Sequence, residues 1–228
     1  MTIPQPAQLR AQTVGNYGMP LGPEAIEYLD ALFAKVTDGW KKWQDSIAWG
    51  TLIVAGGGVG AWAGVGNGGM MQGSPYVMQP FSFKQNSPQQ LKYTKGLADA
   101  LAAKFTAFPA TFKFTGVQYT GSCGATPINP GPVNAQNVPV PLLSAGSGQN
   151  PSGIAGIWKA ALTPPDFDLN NPAARSGQLI DAVCKAIEQS FQTVWLASTM
   201  IQGNILSGAA APGGVVAGLS SGFDGKLK

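Results

Sequence analysis

Between Pro23 and Trp49 the apolar residues Ile26, Leu29, Phe33, Val36, Trp40, Trp43 and Ile47 recur at alternating intervals of three and four. A repeat of about 3.5 residues keeps returning to one face of an α-helix, so the stretch predicts a long helix with a single buried seam. Its start is marked by Pro23, which suits a first helical position, and by Glu24, Glu27 and Asp30, which the helix dipole favours there. Lys35, Lys41 and Lys42 come later, as the same dipole argument expects. An apolar run, Thr51 to Ala55, and a glycine-laden stretch to Gly69 follow.

The unit recurs near the C-terminus. Leu179-Ile-Asp-Ala182 lies over Tyr28-Leu-Asp-Ala31, and Phe191 lies over Trp40 without a gap. A one-residue shift then brings Trp195, Ser198, Ile205 and Leu206 over Trp43, Ser46, Ile53 and Val54, and glycines follow both copies. A fainter third copy lies between them at Leu97-Ala-Asp-Ala-Leu101 and Lys104. Any two amphipathic helices align in part; the Asp-Ala pair, the aromatic in register and the downstream glycines go beyond that. Three copies do not make a solenoid. The expectation is one domain, 23–228, with helix-strand units 23–69, 88–121 and 174–225, preceded by an extended arm, 1–22. The fold class is α+β: two or three long amphipathic helices on a small, mostly antiparallel sheet, with long Gly/Pro-rich loops.

Composition narrows the function. Charged residues make up 11% of the chain, against about 25% in ordinary globular proteins, while Gly is 31 and Pro 18 of 228. The charges sit in the helices: there are none between Asp45 and Lys84, between Lys113 and Lys159, or between Glu188 and Asp224. So uncharged a surface is hard to keep in solution alone, which implies cover by self-association and by other structural subunits, as in a homo-oligomer. The net charge of +3 is spread thinly, and without a basic cluster no nucleic-acid recognition is expected. Histidine is absent, which removes the usual general base and the commonest metal ligand. Cys123 and Cys184 allow one disulfide or none, and Cys184, among small and apolar residues on a helix, reads as a buried thiol. Met1 to Pro20 has no apolar segment of the secretory type, so no signal peptide is expected.

Along the chain, Gly56, Gly60, Gly64 and Gly68 fall every four residues within the uncharged segment Ser46 to Phe83. In an apolar helix that spacing would be a zipper for close packing in a membrane, with a C-terminal counterpart at Gly214, Gly218 and Gly222. The many glycines oppose a helix in water, so a buried strand, Thr51 to Ala55, running into a glycine-rich loop is preferred, with Gly68 to Pro75 irregular. Tyr76 to Phe83 suggests a short strand. A helix is expected from Ser87 or Pro88 to Phe108, burying Leu97, Leu101, Phe105 and Phe108 and ended by Pro109. Thr111 to Tyr119 is the best strand, with Phe112, Phe114, Gly116 and Gln118 on one face and Thr111, Lys113, Thr115, Val117 and Tyr119 on the other. From Thr120 to Pro165 no long helix fits; Val138 to Leu143 suits an extended run along a neighbouring subunit, and Ile154 to Leu162 a helical turn or two. Asp166 to Pro172 reads as a turn. The last helix starts at Pro172 or Ser176 with the seam Ile180, Val183, Ile187, Phe191, Val194, Ser198 and Ile201.

Tests for chemistry find little. The glycines after Thr51 to Ala55 lack the dinucleotide spacing, and no acid follows before Asp99. Asp166 and Asp168 suit turn hydrogen bonds better than catalysis. Gly121-Ser-Cys-Gly124 has a thiol without a histidine base. No catalytic residue, cofactor or metal site is therefore expected. The six tryptophans carry more weight. Trp40, Trp43, Trp49, Trp62, Trp158 and Trp195 are candidate interface anchors, Trp40 and Trp43 being equally suited to the helix seam as core.

Low charge, no histidine, abundant Gly and Pro, an arm and a repeated helix-strand unit together resemble structural proteins of tailed-phage virions or contractile injection machines, such as tail, neck or capsid-accessory subunits. The resemblance implies an architectural role and a place in a virion or other assembled particle, tail or neck before shell. The alternative is a membrane-associated protein using the glycine-zipper segments.

Overall fold

The computed structural model describes residues 3–49, 53–57, 60–79, 81, 83–84, 88–124, 131–162, 175–201, 205–210 and 216–219. In chain order the helices are α1 (Pro6–Tyr17), α2 (Pro23–Ser46), α3 (Pro88–Thr111), α4 (Leu142–Ala145), α5 (Ile154–Leu162) and α6 (Arg175–Ser190), the last continued by a π-helical turn, Phe191–Leu196. The longer strands are β2 (Ile53–Gly57), β3 (Gly60–Gln72), β4 (Lys113–Cys123), β5 (Gly131–Asn137), β9 (Ile205–Ala210) and β10 (Val216–Leu219). Short pairings come from β1 (Ala48–Trp49), β6 (Val140–Pro141), β7 (Gly146–Ser147) and β8 (Met200–Ile201). Every pairing is antiparallel, and the class is α+β.

The core is built where the seams of α2, α3 and α6 meet. Trp40, Phe105 and Phe191 touch pairwise, with ring centroids 4.9, 5.7 and 5.5 Å apart. One turn on, Trp43, Phe108 and Trp195 form a second triangle at 6.4, 5.4 and 5.8 Å. Each triangle takes one aromatic from each helix. Such pairs contribute about 0.5–1.5 kcal/mol each beyond their burial. Four residues before the first triangle stand Val36, Leu101 and Ile187, and four before those Leu32, Leu97 and Val183, all at most 1% exposed. The same side-chain pattern thus lines three helices.

The π-helical turn keeps the third helix in step. Trp40 to Trp43 and Phe105 to Phe108 are three residues apart, whereas Phe191 to Trp195 are four. A π-turn absorbs one extra residue without breaking the helix. The seam of the last helix therefore passes through Trp195, fully buried, and not through Val194 as its earlier period suggested. The core also registers the middle unit differently from its local sequence. Phe105 answers Trp40, so Asp99-Ala100 stands one helical turn out of step with Asp30-Ala31.

Each core helix leads into two neighbouring strands. Helix α2 is followed by β2 and β3, α3 by β4 and β5, and α6 by β9 and β10. The sheet order is β10-β2-β3-β4-β5-β9, so the second strand of each unit pairs with the first strand of the next. The two ends, β9 and β10, also come close to each other, so the six long strands curl round as a barrel. The middle unit consequently runs through β5, beyond 121, and the sheet is larger than expected from the sequence.

Three further segments fill the grooves between the core helices. Helix α1 lies against α2 and α6, with Leu9 and Thr13 fully buried, Arg10 paired with Asp30 at 2.6 Å and Ser190 donating to Gln12 at 2.6 Å. The expected extended arm 1–22 is corrected accordingly. It is a helix because Gln5 and Gln8 close a capping box at its start and because α6 offers a face to pack on. Helix α5, on Ile154–Leu162 as expected, packs on α3 and α6. Tyr76 and Met78, in a segment that is not a strand, fill the third groove; the Tyr76 hydroxyl donates to the Val36 carbonyl at 3.0 Å.

Other expectations are corrected as well. Gly60 to Gln72 is strand β3, not loop or zipper helix, because a spacing of four is also even and keeps glycines on one face of a strand. Strand β4 does not alternate strictly. Gly116 (φ 78°) and Gly68 (φ 75°) carry backbone angles that favour glycine, and the register between β3 and β4 slips there. The slip puts Val117 and Tyr119 on the buried face with Phe114. Residues Val138 to Leu143 lie on their own chain, Val140–Pro141 pairing with β8 and Leu142 fully buried. Helix α3 runs past Pro109 to Thr111, since only its final turn follows the proline. The expected turn Asp166 to Pro172 and the glycines Gly214 and Gly222 lie outside the described residues.

Candidate interaction surface

The barrel has two unlike faces. Its buried face carries Val117, Tyr119, Cys123, Val133 and Ala135, each at most 4% exposed. Gly64 stands opposite Tyr119 and Gly66 opposite Val117, so glycines leave room where the partner strand brings bulk. The other face forms cross-strand rows: Ala61 with Ser122 and Asn134, Ala63 with Thr120 and Gln136, and Val65 with Gln118. All of these are exposed. Within the described strands Lys113 is the one charged residue.

The helices are the opposite. Their surface holds the ion pairs Arg10–Asp30, Lys42–Asp38, Lys95–Asp99 and Lys159–Asp181, and Glu27 at the start of α2 pairs with Lys84. Exposed pairs of this kind contribute little to stability.

Of the tryptophans, Trp40, Trp43 and Trp195 are 0–1% exposed and belong to the aromatic triangles. Trp158, 3% exposed, donates from its indole N–H to the Tyr93 carbonyl at 2.9 Å. These four are core residues of this chain, and their reading as interface anchors is corrected: burial against their own helices leaves no area for a partner. Trp49 lies in β1 and Trp62 in β3, with side chains outside what the structure describes. The rows of Ala, Val, Thr, Ser, Asn and Gln were not singled out in the sequence. Their signal was the alternation along β4 and β5, hidden by the slip at Gly116.

Nothing catalytic gathers elsewhere among the described residues. Cys123 and Cys184 are both buried and not joined by a disulfide. Burial, then the Glu188 and Asp181 carboxylates, pushes the Cys184 thiol up, away from the reactive thiolate. Ser122 and Cys123 are neighbours on a strand and therefore face opposite ways. Gly56, Gly57, Gly60 and Gly64 lie in the adjacent strands β2 and β3 rather than at a helix start, so they form no pyrophosphate cradle. A hollow of about 240 Å³ between α2, α3, α5 and α6 is lined by Leu29, Leu32, Trp158, Ile180 and the rings of Tyr28 and Tyr93. It offers no acid, base or nucleophile poised for chemistry. No group of three or more acidic, cysteine or histidine residues among the described residues could hold a metal ion. No described helix is long and apolar enough to cross a membrane.

Comparison with known proteins returned no matching family model, no matching curated protein and no matching solved structure.

Proposed function

We propose that this chain is a structural subunit of a large protein assembly, and that the outer wall of its barrel is the part the assembly covers. The observation that carries the reading is the division of charge: ion pairs on the helices, and on the described strands of the barrel a single charge, Lys113 at the start of β4. A protein whose barrel faced water would carry Lys and Glu on that wall for solubility. The kind of assembly its composition and layout resemble is the phage virion or contractile machine, with the tail or neck as its place. Neutral hydrogen-bonding side chains on the wall favour protein over lipid as the cover. Gln118, Thr120, Ser122, Asn134 and Gln136 would lose water without gaining partners in hydrocarbon. Light scattering without detergent tests the reading. Large particles, or growth to them with concentration, support it. A monomer soluble at high concentration, or a chain that needs detergent throughout, counts against it.

A further inference from the structure

The described strands of the barrel carry one charge, the exposed Lys113 at the start of β4, and the three strand pairs follow one another by a single rule. Strand β3 of the first unit meets β4 of the second, β5 of the second meets β9 of the third, and β10 of the third meets β2 of the first. Inside, each aromatic triangle draws one ring from each unit. One polypeptide therefore reproduces the layout of a closed trimer.

We propose that the barrel is seated on the axis of a ring of protein subunits with three-fold or six-fold symmetry, one copy of this chain per ring. The proposal rests on the assembly reading above and adds the partner's geometry. A wall that avoids charge on one side only would suit a neighbour on that side; one that avoids it around the circumference suits a surrounding partner. Closed rings repeat the same contact at each rotation. A chain whose three units join by the same strand order can satisfy three such contacts at once, which an asymmetric plug cannot. The ring's lining is uncharged and hydrogen-bonding, complementary to the Thr, Asn, Gln and Ala rows, because a charged lining would bury charge without a partner.

The test uses one strand in each of the first two units: Ala63→Lys on β3 and Gln136→Lys on β5, both exposed. Lys41→Glu on the exposed face of α2 is the control. Each full-length variant is first checked by near-ultraviolet circular dichroism, and a Glu version replaces any Lys variant that fails to fold. Each is then expressed in the source organism and its particles are isolated by sedimentation. Isotope-labelled peptides count this chain against the ring-forming subunit of the particle. The expected result is one copy per three or six ring subunits, at least about a tenfold loss from the particle for each wall variant, and none for the control. A one-to-one ratio, or any folded wall variant incorporated like the parent, overturns the proposal and leaves the assembly reading standing. A parent chain found as a monomer and in no particle overturns the assembly reading, and the ring with it.

Discussion

The indole N–H of Trp195 donates to the side-chain carbonyl of Gln44, joining the π-helical turn to α2 in the middle of the core. Gln44 is 2% exposed, so water cannot replace it. Gln44→Leu keeps the volume and removes the acceptor, leaving the indole N–H buried and unpaired. Stability should fall by about 1–3 kcal/mol, read as a lower urea midpoint at unchanged slope. A variant as stable as the parent would show that the bond contributes nothing.

Gly39 gives a test in which the sign alone decides. Glycine inside an exposed helix destabilises by about 1 kcal/mol relative to alanine. At Gly39, however, a Cβ would lie 2.8 Å from the Val77 carbonyl oxygen and 3.0 Å from the Tyr76 ring, and the backbone oxygen cannot swing away. Gly39→Ala should therefore destabilise, by about 1–3 kcal/mol, as over-packing does. Thermal unfolding beside Gly15→Ala, where nothing lies within 4 Å, separates crowding from propensity.

Both glycines sit in helices, which were the legible part of this chain. The seams on α2 and α3 could be read because each keeps its period over several turns and buries one face. Helix α1 could not. It buries only Leu9 and Thr13, and what holds it is a surface on α6 over 150 residues away in the chain. The barrel was hidden for a related reason. Strand β5 exists because β4 and β9 flank it, and β9 follows more than 60 residues later. The glycine spacing that suggested a zipper is the same-face spacing of β3. The exposed outer rows could not be seen until the slip at Gly116 showed which residues of β4 point outward.

The π-helical turn predicts an unusual tolerance. Deleting Thr193, exposed within the turn, should convert it to ordinary α-helix and leave Trp195 three residues after Phe191, as in the other two helices. Deleting Lys185 instead removes a residue from regular helix and rotates everything beyond it by about 100°. The Thr193 deletion should keep a cooperative transition and its tryptophan near-ultraviolet signal; the Lys185 deletion should lose both. Equal damage from the two would mean that the turn is not a one-residue excess.

Alkaline pH should weaken the fold through its tyrosines. Burial raises the Tyr119 phenol from 10.0 to about 12, and burial followed by the neighbouring Tyr93 does the same for Tyr28. Tyr76 is raised too, by burial and then by the Asp38 carboxylate. A raised folded value means that the native state keeps a proton the unfolded chain releases. This stabilisation is complete below about pH 10 and is lost as pH climbs through about 12. Urea midpoints should fall between pH 9.5 and 11.5. Tyr119→Phe should make that fall shallower. At neutral pH it should be neutral or stabilising by up to about 1 kcal/mol, because the Tyr119 hydroxyl is buried without a hydrogen-bond partner.

Pairing between Val216–Leu219 and Ile53–Gly57 decides when the molecule can finish folding. A nascent chain emerging from the ribosome can zip β2 onto β3 and β3 onto β4 early. It cannot shut the circle until Leu219 is out, so the edge of β2 stays open through most of synthesis. A contact this distant in sequence is slow to find, and an open edge meanwhile invites strand exchange between nascent copies. Maturation of this protein is therefore a race between circular closure within one chain and promiscuous zipping among several.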